Sequence, residues 1–203
     1  MTVLEIETPR GTARAHLRPA EAPRAGLVLG HGAGGGVQAP DLVTATDAAV
    51  GEHVSVALVE QPYRVAGRRS PPGPPVLDEA WTAVIDVLCA GYLDGLPLIV
   101  GGRSLGARVA CRTAGGTDAI AVLCLAFPLV PPRRAGKPAQ SRLPELEAVT
   151  VPVLVVQGER DPFGMPPPGR SRGVVTVPGD HGLKADLPAI AAAVRAWLAE
   201  VAR

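Results

Sequence analysis

The chain has 203 residues, 47% of them hydrophobic and 19% charged, which is enough apolar material for one substantial core and is read as a single domain spanning residues 1–203. Twenty Lys and Arg against nineteen Asp and Glu leave a formal net charge of +1, so no general attraction to nucleic acid or to a membrane surface is expected and a small or neutral partner fits better. Aromatic residues at 3% argue against base-stacking surfaces, and Cys89, Cys111 and Cys124, each inside an apolar segment, read as reduced core thiols rather than a disulfide frame or a metal cluster.

The N-terminus has no basic region followed by an apolar one, and no apolar run approaches membrane-spanning length, so the expected location is the cytoplasm. Residues 2–7 and 12–18 alternate apolar and polar side chains across Pro9-Arg10-Gly11, which predicts an antiparallel hairpin. Ala25–Leu29 is a continuous apolar strand ending in the glycine-rich run His31-Gly32-Ala33-Gly34-Gly35-Gly36. A helix is predicted to begin after Pro40, with Asp41 near its start, and to run to Gly51, then a strand over Val54–Val59. Glu60–Pro75, rich in Pro, Arg and Gly, is expected to be a stiff loop without regular structure, and Val76–Leu93 a helix. Further strands are predicted at Leu98–Val100, Ala119–Leu125, Val153–Val156 and Gly173–Val177, with a closing helix over Asp186–Val201. His16 and His53 fall at strand positions and look structural.

Apolar strands alternating with amphipathic helices imply a mostly parallel sheet covered on both faces, a three-layer α/β architecture with ligands at the carboxyl ends of the strands. The pentad Gly102-Arg103-Ser104-Leu105-Gly106 lies between such a strand and a helix. A sharp strand-to-helix turn there presents Ser104 Oγ outward, and the glycines leave room where side chains would collide. The Leu105 N–H, first in the helix, is a candidate donor for a developing oxyanion, and the glycine-rich run after the neighbouring strand offers the Ala33 N–H as a second. That run lacks the lysine and the spacing of a phosphate-binding loop.

A serine hydroxyl is a poor nucleophile at neutral pH and needs a base, which a third group must orient. Asp161, in the turn after Val153–Val156, and His181, in the loop after the last strand, follow Ser104 in the order this geometry requires. Glu159 is the nearby rival for the acid, and Asp180 a lower-ranked orienter.

These stretches together resemble an α/β-hydrolase, and within that superfamily the small dienelactone-hydrolase-like group that includes relatives of animal chromatin-complex and testis-expressed proteins. The matching segments are His31–Gly35, Gln61–Arg64 with Arg68-Arg69, Gly101–Ala110, Phe127–Leu129, Gln157–Gly164 and Asp180–Lys184. The resemblance implies an α/β-hydrolase fold with an N-terminal hairpin and no cap domain, Ser104, Asp161 and His181 as a triad, and Ala33 and Leu105 as oxyanion donors. Two departures stand out. The family's proline loop often carries a histidine where this chain has Val130, and Arg133-Arg134-Ala135 enlarge the turn before Gly136-Lys137-Pro138. Dienelactone hydrolases proper use a cysteine nucleophile, and position 104 is serine.

The expected reaction is hydrolysis of a small ester or thioester through an acyl-serine, with no metal or organic cofactor. Arg64, Arg68 and Arg103 are candidate contacts for a carboxylate- or phosphate-bearing substrate, because arginine pairs with such groups bidentately. The rival reading is a non-catalytic interaction module built on the proline-arginine loops, and a third is an acyltransferase in which an alcohol outcompetes water.

Overall fold

A computed structural model describes residues 2–131 and 140–203. The N-terminal alternation forms a hairpin, β1 (Thr2–Thr8) and β2 (Gly11–Arg18), and the first apolar run forms β3 (Ala25–Gly30). Then come α1 (Pro40–Gly51), β4 (Val54–Glu60), α2 (Pro62–Val65) and α3 (Pro74–Cys89). The pentad joins β5 (Leu98–Arg103) to α4 (Leu105–Thr113), and the chain continues through β6 (Ala121–Leu125), α5 (Leu143–Glu147), β7 (Val153–Gly158), β8 (Arg172–Val177) and α6 (Leu187–Val201).

The eight strands make one sheet in the order β1-β2-β4-β3-β5-β6-β7-β8. The hairpin pairs antiparallel with itself and with β4, and every other pairing is parallel. The three-layer architecture, the mostly parallel sheet and the N-terminal hairpin are therefore as the sequence predicts. From β3 the chain steps to β4 on one side and later to β5 on the other, which opens a crevice at the carboxyl ends of β3 and β5. The glycine-rich run and Ser104 both emerge there.

The inner strands β3–β7 are buried on both faces, and their alternate side chains feed two separate cores. Val28, Val100 and Val122 pack with Trp81, Ile85 and Phe127 under α3 and α4. Leu27, Ile99 and Leu123 pack with Leu42, Ile190 and Leu198 under α1 and α6. Ion pairs tie α4 down: Arg112 donates twice to Asp78 of α3, at 2.8 and 2.5 Å, and Arg108 twice to Glu145 of α5, at 2.8 and 2.5 Å. All four side chains are at most a quarter exposed, so these paired contacts are less screened than those of surface ion pairs.

Four local expectations need correction. Glu60–Pro75 contains the short helix α2 and the first two residues of α3, because Pro62 and Pro74 stand at the helix starts, where the missing N–H costs nothing. The third helix ends at Cys89 rather than Leu93, as the chain turns through Ala90–Leu96. The five-residue α5 has no counterpart among the expected elements. His53 is not in a strand: it precedes β4 with φ +58, exposed, its Nδ1 bonded to the Glu21 carbonyl. Cys111 and Cys124 are buried free thiols 3.5 Å apart and Cys89 is half-buried. The turn at residues 133–138 lies outside the described residues. Among the described residues no helix is long and apolar enough to cross a membrane.

Candidate active site

Ser104 sits between the last residue of β5 and the first of α4 with φ +51 and ψ −103, a backbone conformation that costs a residue other than glycine roughly 1–3 kcal/mol. The surroundings enforce it. The Ser104 N–H donates to the Leu125 carbonyl at 2.9 Å, and the Gly106 N–H to the His31 carbonyl at 3.1 Å. A Cβ on Gly106 would run into the Gly30 carbonyl, and one on Gly102 would stand 2.5 Å from the same oxygen, so only glycine on both sides lets the elbow approach β3 this closely.

His181 arrives from the loop after β8, three strands away from β5. Its Nδ1 lies 2.8 Å from Asp161 Oδ2 and its Nε2 2.9 Å from Ser104 Oγ. An ionised carboxylate only accepts, so Nδ1 carries the proton, and Nε2 is left to accept from the serine hydroxyl. The Phe163 ring lies against the imidazole, centroids 4.4 Å apart and planes tilted by 59°.

The Asp161 side chain is 1% exposed and fully engaged. Oδ1 accepts from the Phe163 N–H at 2.9 Å, and Oδ2 accepts from Gln157 Nε2 at 2.8 Å as well as from the histidine. Gln157 itself is buried, and its Nε2 faces three acceptors, Asp161 Oδ2, the Phe127 carbonyl at 3.1 Å and the Gly164 carbonyl at 2.9 Å. This residue was not among the expected site residues. Its signal was a lone amide ending the apolar run Val153–Val156, where an unpaired polar group would be costly. Neither Glu159 nor Asp180 hydrogen-bonds the His181 ring: Glu159 is exposed, and Asp180 Oδ1 caps its own turn at the Gly182 N–H.

His31 shapes the loop that carries Ala33. The Gln61 N–H donates to its Nε2 at 3.2 Å, so Nδ1 holds the proton and donates to the Gly32 carbonyl at 2.8 Å. The Tyr63 hydroxyl donates to the Ala33 carbonyl at 3.1 Å. Both carbonyls flanking Ala33 are thus held, and neither its N–H nor that of Leu105 has a hydrogen-bond partner among the described residues. Burial pushes the His31 pKa below its ordinary 6.5, with the Gly32 carbonyl opposing. The native state therefore takes up a proton less readily than the unfolded chain, so the contribution to stability is full above pH 6.5 and declines as the pH falls below it. The slope is at most ~1.4 kcal/mol per pH unit. Denaturation midpoints measured above and below that value are expected to fall less steeply with acid in His31→Gln than in the wild type; equal slopes would remove this role.

The three arginines part company. Arg103 adjoins Ser104 but is engaged internally: its Nε lies 2.9 Å from Asp41 Oδ2, and its Nη2 donates to the His181 carbonyl at 2.8 Å. Arg68 borders a separate cavity of about 350 Å³ with Tyr63, Gln61 and Arg10, whose lining includes none of Ser104, Asp161 and His181. Arg64 donates to the Arg68 carbonyl at 3.4 Å. A second cavity, about 500 Å³, lies between Gly34–Gly36 and the pair Gly182 and Lys184, with Asp41 and the chain neighbour of Ser104, Arg103, in its wall. No cluster of metal-ligating side chains occurs among the described residues.

Residues 23–184 match the family model described as an alpha/beta hydrolase domain. The chain belongs to that family. A comparison with curated proteins found no match. Among solved structures, this alpha/beta hydrolase resembles XC6422 from Xanthomonas campestris, described as an a/b serine hydrolase without lid, at TM-score 0.79 and 17% identity over 98% of this chain and 94% of that one. It resembles Est1E from Butyrivibrio proteoclasticus at TM-score 0.78 and 16% identity, over 98% of both chains. A dienelactone hydrolase from Anabaena variabilis matches at TM-score 0.78 and 14% identity, over 100% of this chain and 98% of that one. At these identities the likeness establishes the hydrolase fold and leaves the substrate to the site itself.

Proposed function

We propose that this alpha/beta hydrolase cleaves a small ester or thioester through an acyl-serine intermediate, with Ser104 as nucleophile, His181 as base and Asp161 as orienter. The observation that carries it is the unbroken chain of hydrogen bonds from Asp161 through both nitrogens of His181 to Ser104 Oγ. Ser104 attacks the carbonyl carbon while its proton passes to His181 Nε2, and the Ala33 and Leu105 N–H groups receive the charge on the carbonyl oxygen. The imidazolium, held by Asp161, returns the proton to the departing alcohol or thiol. Water deprotonated by His181 then attacks the acyl carbon, and the acid leaves as Ser104 regains its proton. Nucleophile, base, orienter and donors all come from the chain, so this chemistry asks for no metal or organic cofactor. A single domain working in the cytoplasm on a small-molecule substrate belongs to the same proposal.

The test is intact-mass measurement after exposure to a fluorophosphonate, which captures an activated serine without knowledge of the substrate. A single adduct is expected on Ser104, absent from Ser104→Ala and His181→Ala. Folded protein that takes up no adduct would overturn the assignment and favour the interaction module suggested by the resemblance to chromatin-associated relatives. An acyl-enzyme that reacts with added alcohol faster than with water would make the protein an acyltransferase.

A further inference from the structure

We propose that Arg103, anchored by the buried carboxylate of Asp41, is a positioning residue that holds the His181 loop against the nucleophile turn, a role that rests on the serine-hydrolase assignment above. His181 is carried on a loop from β8, whereas Ser104 directly follows β5, with β6 and β7 between the two strands. At ~4.8 Å per strand, three strand spacings make roughly 14 Å of sheet that the loop must cross back over. Asp161 fixes the imidazole through Nδ1 but does not fix the main chain that carries it. Arg103 does, because its Nη2 donates to the His181 carbonyl at 2.8 Å from the residue next to Ser104. The Arg160 N–H holds the same loop at the Gly179 carbonyl, at 2.9 Å, from the turn after β7, and Arg103 adds the direct tie from the loop to the nucleophile turn.

The guanidinium is itself held. Asp41, second residue of α1, is 0% exposed, and its Oδ2 lies 2.9 Å from Arg103 Nε. A carboxylate so buried is costly unless a counter-charge accompanies it. Burial pushes its pKa up, and Arg103 is the first of the groups that draw it back. The third nitrogen packs on the oxyanion loop, where a Cβ on Gly32 would stand 2.8 Å from Nη1. One planar group therefore touches the start of α1, the loop before Ala33 and the histidine loop. Lysine carries a single ammonium and cannot meet Asp41 and the His181 carbonyl in the same fixed fork.

The experiment compares wild type with Arg103→Gln, Arg103→Lys and Asp41→Asn by the second-order rate of fluorophosphonate capture, by kcat and KM on matched neutral and anionic esters, and by the pH titration of the His181 imidazole followed by nitrogen-15 NMR. Arg103→Gln is expected to slow capture and lower kcat by ~10–100-fold, with KM on both esters moving by less than about twofold and the His181 titration displaced. Asp41→Asn should do the same to a smaller extent, and Arg103→Lys should recover part of the loss. A selective rise in KM for the anionic ester, with capture and titration unchanged, would make Arg103 a substrate contact and overturn the positioning role. If wild type captures no fluorophosphonate, the serine-hydrolase assignment fails by itself. The NMR titration still decides the clamp, since a His181 signal that Arg103→Gln leaves unmoved overturns it. Should Arg103→Gln not fold, Arg103→Lys and Asp41→Asn keep the size and hydrogen-bonding capacity needed for the same comparison.

Discussion

Replacing Ser104 with alanine is expected to lower kcat on an activated ester by ~10⁴–10⁶-fold, and replacing His181 with alanine to lower it about as much. The reason is that in the proposed mechanism the two residues act as one unit. The Ser104 hydroxyl is neutral and poorly nucleophilic until His181 Nε2, 2.9 Å away, accepts its proton, so removal of either leaves the other with nothing to do. The double variant should therefore be no slower than either single one, within about twofold, rather than showing the product of the two losses. Asp161→Asn is expected to be milder, at ~10⁴-fold, because the amide keeps the shape of the site but can present its NH₂ to Nδ1 and so favour the wrong imidazole tautomer. In this protein Asp161 also accepts from the Phe163 N–H and from Gln157, and these donors constrain which way an amide would turn. Steady-state kinetics on the four variants, with denaturation curves to show that each is folded, make the comparison. A His181→Ala protein that hydrolysed esters at a rate near wild type would remove the histidine from the mechanism.

Gly106→Ala should be the most damaging small substitution in the fold. On helix propensity alone alanine would be favoured over glycine by ~1 kcal/mol at this position. Sterics oppose it, because the new Cβ would run into the carbonyl group of Gly30 in β3, a backbone contact that cannot be relieved by a rotamer change. Separating β3 from α4 would also stretch the bond from the Gly106 N–H to the His31 carbonyl and move the loop that carries Ala33. A net destabilisation of at least ~3 kcal/mol is expected, with the steric term winning over propensity by several-fold. Gly115→Ala is the matched control, since a Cβ there meets nothing within 4 Å. Its denaturation midpoint should stay at or slightly above wild type. Equal midpoints for the two variants would show that the close approach of turn and strand carries no such cost.

Much of this architecture is visible in the chain because its signals are local. Val28, Ile99 and Val122 belong to runs that are apolar on both faces, which only a doubly covered sheet buries. The glycines at 102 and 106 mark a turn that side chains would block, and they singled out Ser104 without any knowledge of its partners. Local rules failed where a residue's neighbours come from afar. Proline density made 60–75 look irregular, yet Pro62 and Pro74 each start a helix because the packing of the flanking chain supplies the rest. Gln157 looks like a stray amide in a strand until Asp161, Phe127 and Gly164 are seen to converge on its nitrogen. Asp41 reads as a helix-start residue, and nothing in its surroundings along the chain announces Arg103 as its partner.

By itself, then, the sequence determined the order of the eight strands and of the longer helices, the strand-to-helix turn at Ser104 and the candidate acid and base that follow it. These depend on periodicity and turn chemistry, which act over a few residues. Only the tertiary structure decided that residues 77 positions apart, Ser104 and His181, stand 2.9 Å from each other. It also decided that Arg103 spends its nitrogens on Asp41 and the His181 carbonyl while Arg68 borders another cavity. The physical reason is that strand order and the return paths of loops are set by the burial of both sheet faces at once, a global constraint that no short window of sequence contains.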